Sequence, residues 1–81
     1  MDNTTILSKI QNVCRDVFKD ENLNILISTS SKDIEQWDSL SNLFLIDAIE
    51  KEFNIKFSLD EILNASNIGD LVNYIEQKIR D

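Results

Sequence analysis

A chain of 81 residues with no proline and one glycine, Gly69, lacks the two residues that most strongly punctuate a turn-rich β fold. It is therefore read as helices joined by polar connections. At that length it forms one domain, spanning 1–81, with a core too small to bury every apolar side chain. Cys14 is the lone cysteine and histidine is absent, so neither a disulfide framework nor a Cys/His zinc site is available.

The apolar spacing places the helices. In TILSKIQNVCRDVF, residues 5–18, Ile6, Ile10, Val13 and Val17 recur at helical intervals, and Leu7, Cys14 and Phe18 widen the stripe. Asn3, Thr4 or Thr5 is available as its cap. Residues 20–37 form a serine-rich polar connection, long for a small domain, which the interspersed Leu23, Ile25, Ile27, Ile34 and Trp37 are expected to tie down. A second helix starts at Asp38 or Ser39 and runs to Phe53. Ser58-Leu59-Asp60-Glu61 has the form of a capping box opening a brief helix through Leu63. Asn67 caps a last helix in which Ile68, Leu71, Val72, Ile75 and Ile79 face the core. The expected fold is an all-α four-helix bundle of three longer helices and one short one, with a long loop between helices one and two.

The second helix carries one apolar face too many. At about 100° per residue, Leu45, Ile46, Ile49 and Phe53 share a side flanked by Asn42 and Ala48, which is the core stripe. Leu40, Leu43 and Phe44 fall roughly opposite, beside Asp47, Glu50 and Lys51. Leu40 and Leu43 can pack under the long loop or against the short helix, whereas Phe44 lies between polar positions and is expected outside. An apolar strip rimmed by acids has the character of a docking surface. Asp38 is the better cap, which leaves Ser39 in the first turn with its hydroxyl exposed, where unpaired amides favour a phosphoester. As a nucleophile Ser39 has no base, since the chain has no histidine, so hydrolase chemistry is not expected. A serine modified by another enzyme fits better.

Charge narrows the partners. The net charge is −7: residues 1–32 sum to zero, 33–61 to −6 and the remainder to −1. No basic footprint for nucleic acid exists, and a basic protein surface is the better partner. No apolar run is long enough to insert in a membrane and the N-terminus lacks signal-peptide character, so a cytoplasmic protein is expected. Scattered acids such as Asp33, Glu35, Asp60 and Glu61 have no EF-hand spacing, and no metal site is assigned. Cys14 reads as a small buried hydrophobe, Trp37 as a pin between loop and bundle, and Tyr74 as an edge residue with a wet hydroxyl. Gly69 either permits close packing or is neutral.

Asp38-Ser39-Leu40 after Trp37, the Ile/Phe-rich second helix ending Glu50-Lys51-Glu52-Phe53, a short helix, and then NIGDLVNYI resemble the acyl carrier protein family of phosphopantetheine-binding carriers across essentially the whole chain. The resemblance implies that Ser39 receives 4′-phosphopantetheine covalently from coenzyme A and that its thiol bears acyl or aminoacyl groups as thioesters, the carrier itself catalysing nothing. It implies that Asp38 helps engage a phosphopantetheinyl transferase and its Mg²⁺. Leu40, Leu43, Asp47 and Glu50 fall where partner enzymes dock, with Glu61 and Ile62 on the far rim. Acyl- or aminoacyl-loading and acyl-transferring enzymes are then further partners of a protein monomeric when alone. Phe44 stands where fatty-acid carriers often have glutamate, Lys51 interrupts the acidic run, and Asp47 replaces a common apolar residue. With the Trp-Asp-Ser-Leu form, these imply a discrete carrier for a dedicated pathway (polyketide, peptide, aminoacyl or surface-glycan modification), with fatty-acid synthesis second. The alternative is an unmodified acidic adaptor binding a basic protein through Leu40, Leu43 and Phe44.

Overall fold

A computed structural model describes residues 2–80; Met1 and Asp81, the two ends of the expected domain, lie outside them. The described residues form four α-helices and no strand: α1 Asn3–Val17, α2 Ser39–Phe53, α3 Leu59–Asn64 and α4 Ile68–Arg80. Helix α1 packs against both α2 and α4. Its start differs from the expected one because Asp2, not Asn3, Thr4 or Thr5, is the cap: its carboxylate accepts the Thr5 N–H at 2.8 Å. Capping there needs an acceptor two or three residues ahead of the amide, and Asp2 reaches two residues earlier than the apolar stripe announces.

The core is built from the stripes that periodicity identifies. Ile6, Ile10 and Cys14 of α1 meet Leu45, Ile46 and Ile49 of α2 and Ile68, Leu71, Val72 and Ile75 of α4, all buried. Helix α2 stops at Asn54, whose left-handed backbone (φ 55°) turns its N–H back to Glu50 O. Helix α3 buries no residue fully. It is held by the Ser58–Glu61 capping box, in which each side chain accepts the other's backbone N–H, at 3.2 and 2.8 Å. Asn67 caps α4 by accepting the Asp70 N–H at 2.9 Å.

The connection from Phe18 to Asp38 is fastened residue by residue. Ile25, Ile34 and Trp37 are buried, and Leu23 packs partly against the core. Arg15 donates to Leu23 O at 2.6 Å and to the Asn24 side chain at 3.0 Å, while Gln11 accepts the Ile25 N–H at 2.9 Å. Ile27 departs from expectation, since its side chain is exposed, as is that of Leu26. Its backbone does the fastening instead. Ile27 O accepts the Gly69 N–H and Thr29 O the Ile68 N–H, both at 2.8 Å, so loop carbonyls satisfy the first amides of α4. Gly69 permits that approach, because a Cβ there would lie 3.0 Å from Ile27 O. Among the described residues no helix is long and apolar enough to cross a membrane.

Candidate attachment site at the start of the second helix

The start of α2 is set by a reciprocal pair. Asp38 accepts the Ser41 N–H at 2.9 Å, and Ser41 Oγ accepts the Asp38 N–H at 2.8 Å while donating to Gln36 O at 2.8 Å. A serine thus stands in the box where Glu or Gln is usual, a shorter side chain without the familiar sequence signature. The Ser41 N–H, foremost among these contacts, holds the Asp38 carboxyl below the usual range. Asp38 is therefore an anion fixed at the helix entrance.

Between these two lies Ser39, the first helical residue, exposed and with no hydrogen-bond partner for its hydroxyl among the described residues. Behind it Trp37 is buried, its ring centroid 6.0 Å from that of Phe18, and its indole N–H donates to Asn42 Oδ1 at 2.9 Å. Trp37 thus pins the loop to the end of α1, and Asn42 locks it from one turn inside α2. A groove of about 350 Å³ opens beside Ser39, lined by Ser31, Trp37, Asn42, Ala65 and Ser66. Its hydroxyls and amide suit a polar chain better than an alkyl one. Ser31 and Ser66 come from the loop and the α3–α4 connection, and nothing in their sequence neighbourhood marks them.

The strip beyond Ser39 faces solvent: Leu40, Leu43 and Phe44 are 64%, 59% and 61% exposed. Asp47 is exposed but bonded to Lys51 at 3.0 Å. Glu50 does not stand free on the rim where the family resemblance puts it. It accepts the Phe57 N–H at 2.8 Å and lies 3.9 Å from Lys56, with 14% of its side chain exposed. Glu61 is likewise engaged, by Ser58 and by Lys78 at 2.8 Å; the Lys78 hydrogen bond, then the Ser58 N–H, lowers its pKa. Ile62 is half-buried against the core, whereas its neighbours Leu59 and Leu63 are exposed. Cys14 is buried and burial pushes its thiol up to about 12. No group of three metal-ligating side chains occurs among the described residues.

The described residues form a short four-helix bundle with an exposed serine at the start of its second helix. Residues 8–75 match the phosphopantetheine-binding family, described as a phosphopantetheine attachment site. The chain is 32% identical over 71 residues to an acyl carrier protein of Clostridium acetobutylicum, covering 88% of this chain and 92% of that one. Its fold is similar to the solution structure of a holo acyl carrier protein from Geobacter metallireducens, with a TM-score of 0.87 and 36% identity over 93% of this chain and 86% of that one. The chain belongs to the acyl carrier protein family of phosphopantetheine-binding carriers. It is a carrier with a covalent phosphopantetheine group and not an enzyme, and it interacts with a phosphopantetheinyl transferase and with acyl-handling enzymes.

Proposed function

We propose that Ser39 is the residue that takes the phosphopantetheine arm. The observation that carries this is the contrast between two serines in one turn. Ser41 is tied into the capping box, while Ser39 presents an exposed hydroxyl with no partner among the described residues. The site also fits the group: Ser39 lies in the first turn of a 15-residue helix, where amide dipoles favour a phosphodiester, and the groove beside it is polar. Once bound, the arm supplies a thiol that bears acyl or aminoacyl groups as thioesters. Everything else falls to the chain. Ser39 contributes its oxygen to the new phosphodiester as the pyrophosphate bond of coenzyme A breaks and adenosine 3′,5′-bisphosphate leaves, and its proton passes to a base of the transferase. Asp38 offers a fixed carboxylate to the transferase and its Mg²⁺. Leu40, Leu43, Phe44 and Asp47 form the face presented to partners, with Ile62 across the groove, while Glu50 and Glu61 serve by holding the α2–α3 connection and α3 in shape.

The carrier acts as one unit in the cytoplasm, for a dedicated pathway rather than bulk fatty-acid synthesis. The Trp37-Asp38-Ser39-Leu40 start, Phe44 and the Asp47–Lys51 pair support that assignment. The test of the site is intact-protein mass before and after incubation with a promiscuous phosphopantetheinyl transferase, coenzyme A and Mg²⁺. Wild type and Ser41→Ala are expected to gain one phosphopantetheine and Ser39→Ala none. Addition to Ser39→Ala would sink the assignment.

A further inference from the structure

We propose that Asn42 is a binding residue for the phosphopantetheine arm: the Trp37 indole orients its carboxamide so that the NH2 group is left to donate to the phosphodiester on Ser39. The proposal rests on the carrier reading of Ser39 and names what this chain holds the arm with.

The orientation follows from hydrogen-bond chemistry. An indole N–H donates and never accepts, so the Asn42 atom 2.9 Å from it is the oxygen. The reverse placement would set two donors against each other. Trp37 is buried and packed on Phe18, so the carboxamide is held by a partner fixed to the bundle. What remains of Asn42 is an NH2 group with no partner among the described residues. Asn42 stands one helical turn after Ser39, the two are neighbours on the surface of α2, and both line the groove of about 350 Å³.

Charge says why that donor matters. No lysine or arginine lines the groove, whose one ionisable side chain is Asp38. A phosphodiester on Ser39 therefore places a negative charge beside a fixed carboxylate, with no cation among the lining residues to balance it. Neutral donors serve instead: the first amides of α2 from the backbone, and the Asn42 NH2 from the groove. The Ser31 and Ser66 hydroxyls, also without a partner among the described residues, stand in the same groove, where the amides of the pantetheine segment can meet them. One carboxamide thus joins the arm to the loop. An NH2 group that donates to an anion polarises its own carbonyl, which strengthens the bond that carbonyl accepts from Trp37. The coupling is reciprocal, so a lodged arm tightens the pin between the loop and α2.

The test compares, by NMR, the apo protein with the holo protein made by a promiscuous phosphopantetheinyl transferase, coenzyme A and Mg²⁺, both isotope-labelled and checked by intact mass. Nuclear Overhauser cross-peaks are expected between the Asn42 NH2 protons and the arm's phosphate-bound methylene. Trp37 is the single tryptophan, so its indole N–H is an unambiguous reporter, and its exchange with solvent is expected to slow about fivefold or more on modification. Holo Asn42→Leu, similar in size but without the donor, is expected to move the phosphorus resonance towards that of a phosphopantetheinyl-serine peptide in water. Trp37→Phe keeps a ring without the N–H and is expected to weaken the Asn42 cross-peaks. Where a variant fails to fold or to take the arm, the two wild-type measurements decide alone. An attached arm with no cross-peak to Asn42, or an indole exchange that does not slow, would overturn the proposal and leave the arm in solvent. A phosphorus resonance that Asn42→Leu does not move would overturn it in favour of the helix amides alone. If wild type gains no arm, the Ser39 reading fails and the proposal falls with it; if Ser39 takes the arm and the cross-peaks are missing, the proposal alone falls.

Discussion

At the scale of single residues, two serines of one type and one helical turn have opposite fates because of one hydrogen-bond pair. Ser41 can reach back to the Asp38 N–H from the third helical position; Ser39, at the first, cannot reach it and projects outward. Cys14 shows the reverse case, a reactive side chain made inert by position. Its thiol is fully buried and its pKa rises from 9.0 to about 12, so the folded protein holds the proton where the unfolded chain loses it. Its contribution is complete below pH 9 and is lost as pH climbs towards 12, a difference on the order of 4 kcal/mol at the upper limit. Urea unfolding of wild type and Cys14→Ala is expected to show that wild type loses more stability than the variant between about pH 8 and pH 10.5. An aromatic disulfide reagent should leave Cys14 untouched until the protein unfolds. The burial of Cys14 and the exposure of Phe44 were legible in the sequence, because each follows from position on a helical wheel. The role of Glu50 was not. Its partner, the Phe57 N–H, belongs to the chain after α2 has ended, and no periodicity crosses that bend.

Among the elements, α3 is the one with least to hold it. Six residues long and without a fully buried side chain, it depends on its capping box and on Lys78 of α4, which bonds Glu61 at 2.8 Å and sits 5.7 Å from the centre of the Phe57 ring. Lys78→Ala is expected to cost roughly 1–2 kcal/mol and to raise amide exchange chiefly in residues 59–64. Because the Glu61 pKa is lowered in the fold, its part in this fastening is full above pH 4.5 and fades as pH falls through the lowered value. Protection of the α3 amides, corrected for the intrinsic exchange rate, should therefore fall in acid before that of α1 does, which amide exchange followed by NMR between about pH 5 and pH 3 will check. The capping box of α3 and the bounds of α2 could be read from the sequence, since both are local patterns. Lys78 could not be assigned: it lies seventeen residues beyond Glu61, and only the packing of α4 brings them together. The α1 cap was misplaced for a simpler reason, three polar residues in a row offering equivalent caps to the eye.

The whole molecule is one in which acids outnumber bases almost two to one, with nearly all the excess between residues 33 and 61. Ion pairs among the described residues relieve a part of it, such as Lys9–Glu52 between α1 and α2 at 3.6 Å. The remaining like charge opposes compaction, so screening should help the fold. Raising NaCl by about 0.3 M is expected to add on the order of 1 kcal/mol and lift Tm by roughly 4–8 °C, read by thermal denaturation at pH 7. The bundle itself was legible because three helical apolar stripes and the near-absence of glycine and proline leave little else to build. The route of the long loop was less so, since carbonyls and not side chains anchor its middle. Those carbonyls also set a clock. The amide of Ile68 bonds to Thr29 O, 39 residues earlier, so the start of α4 is capped only once about half the chain has doubled back. Closing a loop of that span costs about 3 kcal/mol of chain entropy beyond a fixed offset, against nanoseconds for adding residues to a helix already begun. The helices can therefore form early and still wait for one another, because the start of α4 is capped only when a backbone segment with no secondary structure of its own has returned to it.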